Sequence, residues 1–358
     1  MVEYQGRCDE NMNALGHAPK VLTEYYDFIK GSCDVTVLAP NVVINGINRN
    51  NFARVSELPC KIVMKGRTPF IEKITNKFHM FKNIHQAIQY ADKNGEGILW
   101  FFNVEYYILL YLLLYKKSRH KIYFTMFTDG YFADSDASFK SKLINGIKQF
   151  VFERAQKKID LIISTGPNFK YKNCKSTFIP DYCCDSAHMS NTIQKTDTAV
   201  CLGTMGQGKQ LKEMIQAFNR IGYKLIVAGR FYNKEQYNEL KALAEDNIVL
   251  SDMYLSSEQY TNLLTNAKYS ILPYPKDKYS HQTSGVMQEA LFVDTIPVTY
   301  SEILNANGIP GIGFESWDSL TLDMLNADTS LYTNEYSVLK STTYSKESVA
   351  NKYSSIFS

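Results

Sequence analysis

The sequence predicts an α/β protein built from two doubly wound parallel sheets that face each other across a cleft. Three observations predict it. At 358 residues the chain exceeds what one hydrophobic core usually spans. Strand-like and helix-like runs alternate regularly from Ala199 to Val298, the order that builds a parallel sheet. Near mid-chain, Ser190 to Thr198 is polar and lacks periodicity, and reads as a linker. The expected division is a first domain over 1–190, a second over 191–340, and a closing helix over 341–358 that can cross back onto the first.

Composition narrows the class. The chain is 45% apolar and 21% charged, an ordinary globular balance, and its net charge of +3 argues against a dedicated nucleic-acid binder. The cysteines are odd in number and show no CxxC pair or metal-ligand spacing, which fits reduced thiols in a cytoplasmic protein. The polar opening MVEYQGRCDE does not read as a signal peptide. Ile98 to Tyr115 has the length of a membrane span, but Asn103 and Glu105 interrupt it, and it reads better as a buried strand followed by a buried helix.

In the first half, a short strand at Val2 to Tyr4 precedes a loop at Leu15, Gly16 and His17. A helix follows with Val21, Tyr25, Phe28 and Ile29 on one face, then a strand over Asp34 to Ala39. This opening has the order of a first Rossmann βα unit. His17 is either a substrate contact at the carboxyl edge of the sheet or a helix cap. Ile84, Ala87, Ile88 and Ala91 mark a further helix, closed by Asn94 and Gly95 ahead of a strand from Gly97 to Phe102. Strand Ile122 to Phe127 delivers Asp129 into a loop at the ligand-binding edge, as a general base or polar contact, or else as an Asx-turn residue. Phe139 to Lys158 is basic and amphipathic, with Leu143, Ile147, Phe150 and Val151 sharing a face. It can rest on the inner face of a membrane, or pack that face on the sheet.

The second half alternates cleanly: strand Ala199–Leu202, helix Gln210–Arg220, strand Leu225–Ala228, helix Glu235–Glu245, strand Ile248–Leu250. Ser256 and Gln259 form a capping box that opens a helix carrying Tyr260, Leu263, Leu264 and Ala267 on one face. The loop GTMGQGKQ at 203–210 lacks both GxGxxG and P-loop spacing. Strand Tyr269–Pro273, the turn Thr283-Ser284-Gly285, a helix and the strand resuming at Ile296 complete a βαβ crossover. Its helix amino end offers free N–H groups and a positive dipole to an anion. Glu289, one turn inside, can accept from vicinal hydroxyls. Ser284 as a plain cap and Glu289 as a dipole complement are the alternatives. Val349, Tyr353, Ile356 and Phe357 fall on one face of a terminal helix.

In order of elements the second half resembles the donor-binding domain of GT-B fold glycosyltransferases, most closely the family 4 group. The matching stretches are GTMGQGK, IVAGR at 226–230, NIVLSDMYLSSEQY at 247–260, AKYSILPYP at 267–275 and TSGVMQEALFVDTIPV at 283–298. FIPDYCCD at 178–185 and GHAPKVLTEY at 16–25 extend the similarity into the first half.

The resemblance implies a metal-independent hexosyltransferase without a cofactor, which moves a sugar from a nucleoside diphosphate donor to a glycan or lipid-linked glycan. It implies that Ser284, Gly285 and Val286 offer amides to the diphosphate and that Glu289 holds the ribose. Lys209 would neutralise the leaving group beside Gly203 and Thr204, with Arg230 as a further cation. Met253 and Tyr254 would hold the base, and Gly16, His17 and Asp129 would face the donor sugar and acceptor. The chain departs from the family in having His281 where a glutamate is usual and Thr204 where an arginine is usual. A non-catalytic GT-B subunit that binds a partner enzyme or glycan, and a sugar-nucleotide epimerase, are the rival readings.

Overall fold

The computed structural model describes residues 1–12, 14, 18–64, 69–102, 104–114, 119–131, 138–184, 194–206 and 208–358. In the first half the strands are β1 (Arg7–Cys8), β2 (Thr36–Pro40), β3 (Arg54–Leu58), β4 (Ile62–Val63), β5 (Ile98–Phe101), β6 (Lys121–Met126), β7 (Leu161–Ser164) and β8 (Ser176–Phe178). Parallel pairs join β5, β6, β7 and β8 in that order, and β2 to β3. Val2 makes parallel bridges to both Leu38 and Phe101, and its amide donates to the Trp100 carbonyl at 2.8 Å. The chain start therefore lies in the middle of this sheet and welds its two parts, which is why Val2 and Tyr4 are fully buried.

The second half contains β9 (Thr196–Leu202), β10 (Leu225–Gly229), β11 (Ile248–Asp252), β12 (Ala267–Ile271), β13 (Ile296–Tyr300) and β14 (Ile312–Phe314), all parallel. Their order across the sheet is β11-β10-β9-β12-β13-β14. Strands are added outward in one direction up to β11 and then in the other from β12, so the connections reverse between β9 and β12. That reversal leaves a crevice at the carboxyl ends, where ligands of open α/β sheets bind. The fold is α/β with two parallel sheets in two domains.

Amphipathic helices cover the second sheet. Leu211–Ile221 buries Leu211, Met214, Ile215, Phe218 and Ile221 and stops at Gly222, whose φ of 73° suits a residue without a side chain. Helix Ser257–Asn266 opens on the capping box read from Ser256 and Gln259. Of the stretch read as a linker, residues 190–193 lie outside the described residues. Thr196–Thr198 is instead the start of β9, since a solvated strand end carries no hydrophobic alternation.

Ile98 to Leu114 divides into β5 and helix Tyr106–Leu114, and no described helix is long and apolar enough to cross a membrane. The terminal helix Lys346–Phe357 lies on the first sheet's core: Tyr353 is 5.4 Å from the rings of both Tyr25 and Trp100, and Phe357 is 4.8 Å from Trp100.

Helix Phe139–Ala155 turns an unexpected face inward. Val151, Phe152 and Ala155 are buried, but Phe139, Leu143, Ile147 and Phe150 face solvent. Periodicity shows that a stripe exists. It does not show whether a neighbour covers it, and here the neighbouring helix Tyr106–Leu114 meets the opposite side.

Candidate functional site

The carboxyl edge of the second sheet shapes a cavity of about 520 Å³, within the range of roughly 300–1,000 Å³ typical of small-ligand pockets. Backbone geometry sets its floor. Gly203, after β9, has φ of 94°, and Gly229, ending β10, has φ of 153°; a Cβ on Gly229 would lie 1.7 Å from the Gly203 carbonyl oxygen. Two loops in backbone contact leave no room for a side chain at that point. The Met205 amide then donates to the Arg230 carbonyl at 2.9 Å, which holds the 203–209 loop against the end of β10.

Gly203, Thr204, Arg230, Met253, Tyr254 and Glu289, all read from the sequence as donor contacts, line this one cavity. Tyr182, Cys183, Leu255, Tyr260 and Phe292 are among the other lining residues. Glu289 accepts a hydrogen bond from the Tyr260 hydroxyl at 2.7 Å through Oε2. Among the described residues its Oε1 has no hydrogen-bond partner, so one carboxylate oxygen is available to a ligand hydroxyl. Burial, and then the Glu289 charge, push the Tyr260 hydroxyl far above its ordinary range, which keeps it protonated as the donor. Arg230 is exposed at the cavity rim with its guanidinium 5.8 Å from the Tyr232 ring, and among the described residues it makes no ion pair.

The amino end of helix Gly285–Phe292 lies beside the cavity without lining it. The side chain of Ser284 caps the Met287 amide at 3.4 Å, while the Ser284 amide itself donates to Asn307 Oδ1 at 2.9 Å. The Ser284 amide is therefore taken, contrary to its expected part in an anion site. Among the described residues, the amides of Gly285 and Val286 have no acceptor. Tyr182 stands between them and the cavity: a Cβ on Gly285 would lie 3.0 Å from its ring. The Tyr182 hydroxyl is pushed up to about 12, first by burial and then by the charges of Asp181, Glu289 and Glu24. Lys209 does not line the cavity; its ammonium sits 5.7 Å from the Tyr274 ring, whose hydroxyl is 3.4 Å from Ser284 Oγ.

His281 and Asp129 meet outside the cavity. His281 Nδ1 is 2.8 Å from Asp129 Oδ1, and Asp129 Oδ2 accepts from the Lys170 amide at 3.2 Å. The Thr283 amide donates to the Phe127 carbonyl at 3.0 Å, and the hydroxyls of Thr165 and Thr283 are 3.0 Å apart. The loop before helix Gly285–Phe292 is thus laced to the carboxyl ends of β6 and β7. Both Asp129 carboxylate oxygens already have partners, so it is not a free base in this arrangement. Gly16 and His17 lie outside the described residues. Tyr182 and Tyr260 were not singled out for the site, although Tyr260 sits on the capping-box helix and Tyr182 in the FIPDYCCD stretch.

No family profile and no curated protein matches the chain. Solved structures do. The N-terminal domain of Candida albicans trehalose-6-phosphate phosphatase superposes with a TM-score of 0.60 at 10% identity, covering 94% of this chain and 92% of that one. A UDP-forming trehalose-phosphate synthase from Burkholderia xenovorans, solved with glucose-6-phosphate, gives 0.59 at 9% identity over 99% and 97%. Anabaena HepE, solved with UDP and glucose, gives 0.58 at 11% identity over 95% of each chain. At such identities the likeness is one of fold, and the fold is GT-B, with two parallel-sheet domains whose facing edges carry the cavity and the Asp129–His281 contact.

Proposed function

We propose that the chain is a glycosyltransferase that binds a nucleoside diphosphate sugar in the cavity of the second lobe and passes the sugar to a glycan or lipid-linked glycan held by the first. The observation that carries this reading is the convergence of Gly203, Gly229, Arg230 and Glu289 on one cavity at the switch between β9 and β12. The backbone near Met253 and Tyr254 holds the base, Glu289 Oε1 accepts from the ribose, and Arg230 meets the phosphates. As the sugar–phosphate bond breaks, charge grows on the leaving diphosphate. Arg230 at the cavity rim stabilises it, and Lys209 and the amides of Gly285 and Val286, which do not line the cavity in this arrangement, join it once Tyr182 swings off Gly285. These groups serve leaving-group stabilisation without a metal. The full hexosyltransferase assignment, the division into a 1–190 acceptor domain and a 191–340 donor domain, and action at the inner face of a membrane belong to the same proposal. HepE and the trehalose-phosphate synthases, bound to UDP with glucose or described as UDP-forming, support it by analogy of fold.

A second reading, a non-catalytic subunit, draws on the His281–Asp129 pair and on Tyr182 over Gly285, which occupy groups a transferase would use. Incubating the protein with a panel of nucleotide sugars and following nucleoside diphosphate release separates the two. Turnover with one donor, insensitive to a chelator, supports the transferase. Absence of release from every donor, together with no nucleotide binding by calorimetry, supports the subunit.

A further inference from the structure

We infer that the first lobe docks on an anionic lipid surface through the amino-terminal halves of two helices, Phe70–Lys93 and Phe139–Ala155. Helix Tyr106–Leu114 lies between them and packs on both. Lys77 sits 5.4 Å from the Tyr107 ring and Lys148 6.0 Å from the Tyr106 ring, so positions 77 and 148 are level with the first turn of the middle helix. Both outer helices therefore begin well before it, and each overhangs by roughly 10 Å at about 1.5 Å per residue.

The overhanging turns and the residues just after them are apolar on their outer faces. Phe139 and Phe150 are 82% and 59% exposed, and Leu143 and Ile147 between them are exposed as well. Their spacing of i, i+4, i+8 and i+11 makes one continuous stripe. On the other helix Ile71 and Phe78 are 77% and 67% exposed, with Ile74 completing an i, i+3, i+7 stripe. Monomeric proteins rarely leave two such stripes uncovered.

Charge identifies the occupant. Lys140 and Lys142 flank the first stripe and Lys77 the second, while Lys148 turns to the rings of Tyr106 and Tyr131. Among the described residues none of these lysines forms an ion pair. The acid within helix Phe139–Ala155, Glu153, is bonded to Lys172 at 2.8 Å. Exposed phenylalanine, leucine and isoleucine rimmed by unpaired lysines match a headgroup layer of negative charge over acyl chains, where the rings enter and the ammonium groups stay in the headgroups. An acidic protein partner would satisfy the lysines but would not call for two separate apolar stripes. The surface also lies next to the loop after β6, since the Tyr131 amide donates to Gln149 Oε1 at 2.8 Å, so docking orients the carboxyl edge of the first sheet toward the bilayer. The docking deepens the membrane part of the proposed function, rests on the exposed stripes rather than on the cavity, and is tested without any nucleotide sugar, so its failure leaves the transferase reading to its own test.

The test is flotation of the full chain with vesicles of phosphatidylcholine alone and of phosphatidylcholine mixed with phosphatidylglycerol. Binding is expected only with the mixed vesicles and should weaken with salt. The pairs Phe139→Ser with Phe150→Ser, Ile71→Ser with Phe78→Ser, and Lys140→Glu with Lys142→Glu should each lower partitioning about tenfold or more. Because these positions are exposed, the melting temperature should be unchanged, so a loss is not unfolding. Failure to float with mixed vesicles, or unaltered partitioning in all three variants, overturns the proposal. So does a concentration-dependent dimer that the same variants abolish, which would mean that a second copy covers the stripes.

Discussion

His281 and Asp129, 152 residues apart in sequence, meet with Nδ1 2.8 Å from Oδ1 and tie the loop before helix Gly285–Phe292 to the carboxyl end of β6. The contact joins the two lobes at the edge of the crevice.

If the pair holds the lobes together, Asp129→Ala and His281→Ala should be non-additive. A double-mutant cycle by urea denaturation is expected to give a coupling of about 1 kcal/mol. Additive effects would mean that the contact is incidental. Small-angle scattering should show both single variants sampling a more open arrangement.

Tyr182 covers the free amides at the helix end. Tyr182→Ala is expected to tighten binding of a nucleoside diphosphate about two- to five-fold, the scale of a phosphate gaining a helix amino terminus. The corresponding nucleoside should bind as before. Titration calorimetry with the two ligands side by side gives the comparison, and equal changes for both would place the diphosphate elsewhere.

Helix Lys346–Phe357 contributes Tyr353 and Phe357 to the core under Tyr25 and Trp100. Tyr353→Ala should cost about 3–5 kcal/mol of unfolding free energy, as for other large aromatic truncations in packed cores. Denaturant unfolding followed by tryptophan fluorescence reports it, because Trp100 is a direct neighbour.

Alkaline pH acts on the same cluster. Tyr25 and Tyr353 are buried, and burial raises both hydroxyls well above the ordinary value of 10.0. The unfolded chain loses those protons above that value while the folded chain keeps them. Their stabilising contribution is therefore complete below pH 10 and falls as pH rises beyond it, by about 1.4 kcal/mol per pH unit for each tyrosine. Urea midpoints measured on either side of that value should drop on the alkaline side, and tyrosinate absorbance should appear together with unfolding.

Much of the second sheet was legible because its helices pack one apolar face each: Leu211, Met214, Ile215 and Phe218 announce a helix wherever they are met. The residues that line the cavity were legible only through the resemblance, which named Gly203, Thr204, Arg230, Met253, Tyr254 and Glu289; the backbone contact of Gly203 with Gly229 was not, because it joins loops after two different strands. The Asp129–His281 and Tyr260–Glu289 pairs were not, because each joins residues on different elements whose approach only the assembled sheet determines. The short helix Ser301–Asn307 and strand β14 carry too few residues for a period to show. On helix Phe139–Ala155 the apolar stripe was visible but the side it faces was not, since spacing is silent about neighbours.

The most direct test of nucleotide binding in the second lobe is calorimetric titration of UDP, then the other nucleoside diphosphates, into the wild type, Arg230→Ala and Glu289→Ala. Saturable one-to-one binding by the wild type, weakened about ten- to a hundred-fold in each variant with an unchanged melting temperature, is the predicted result. Unaltered affinity in both variants, or no binding of any nucleoside diphosphate to the wild type, would contradict it.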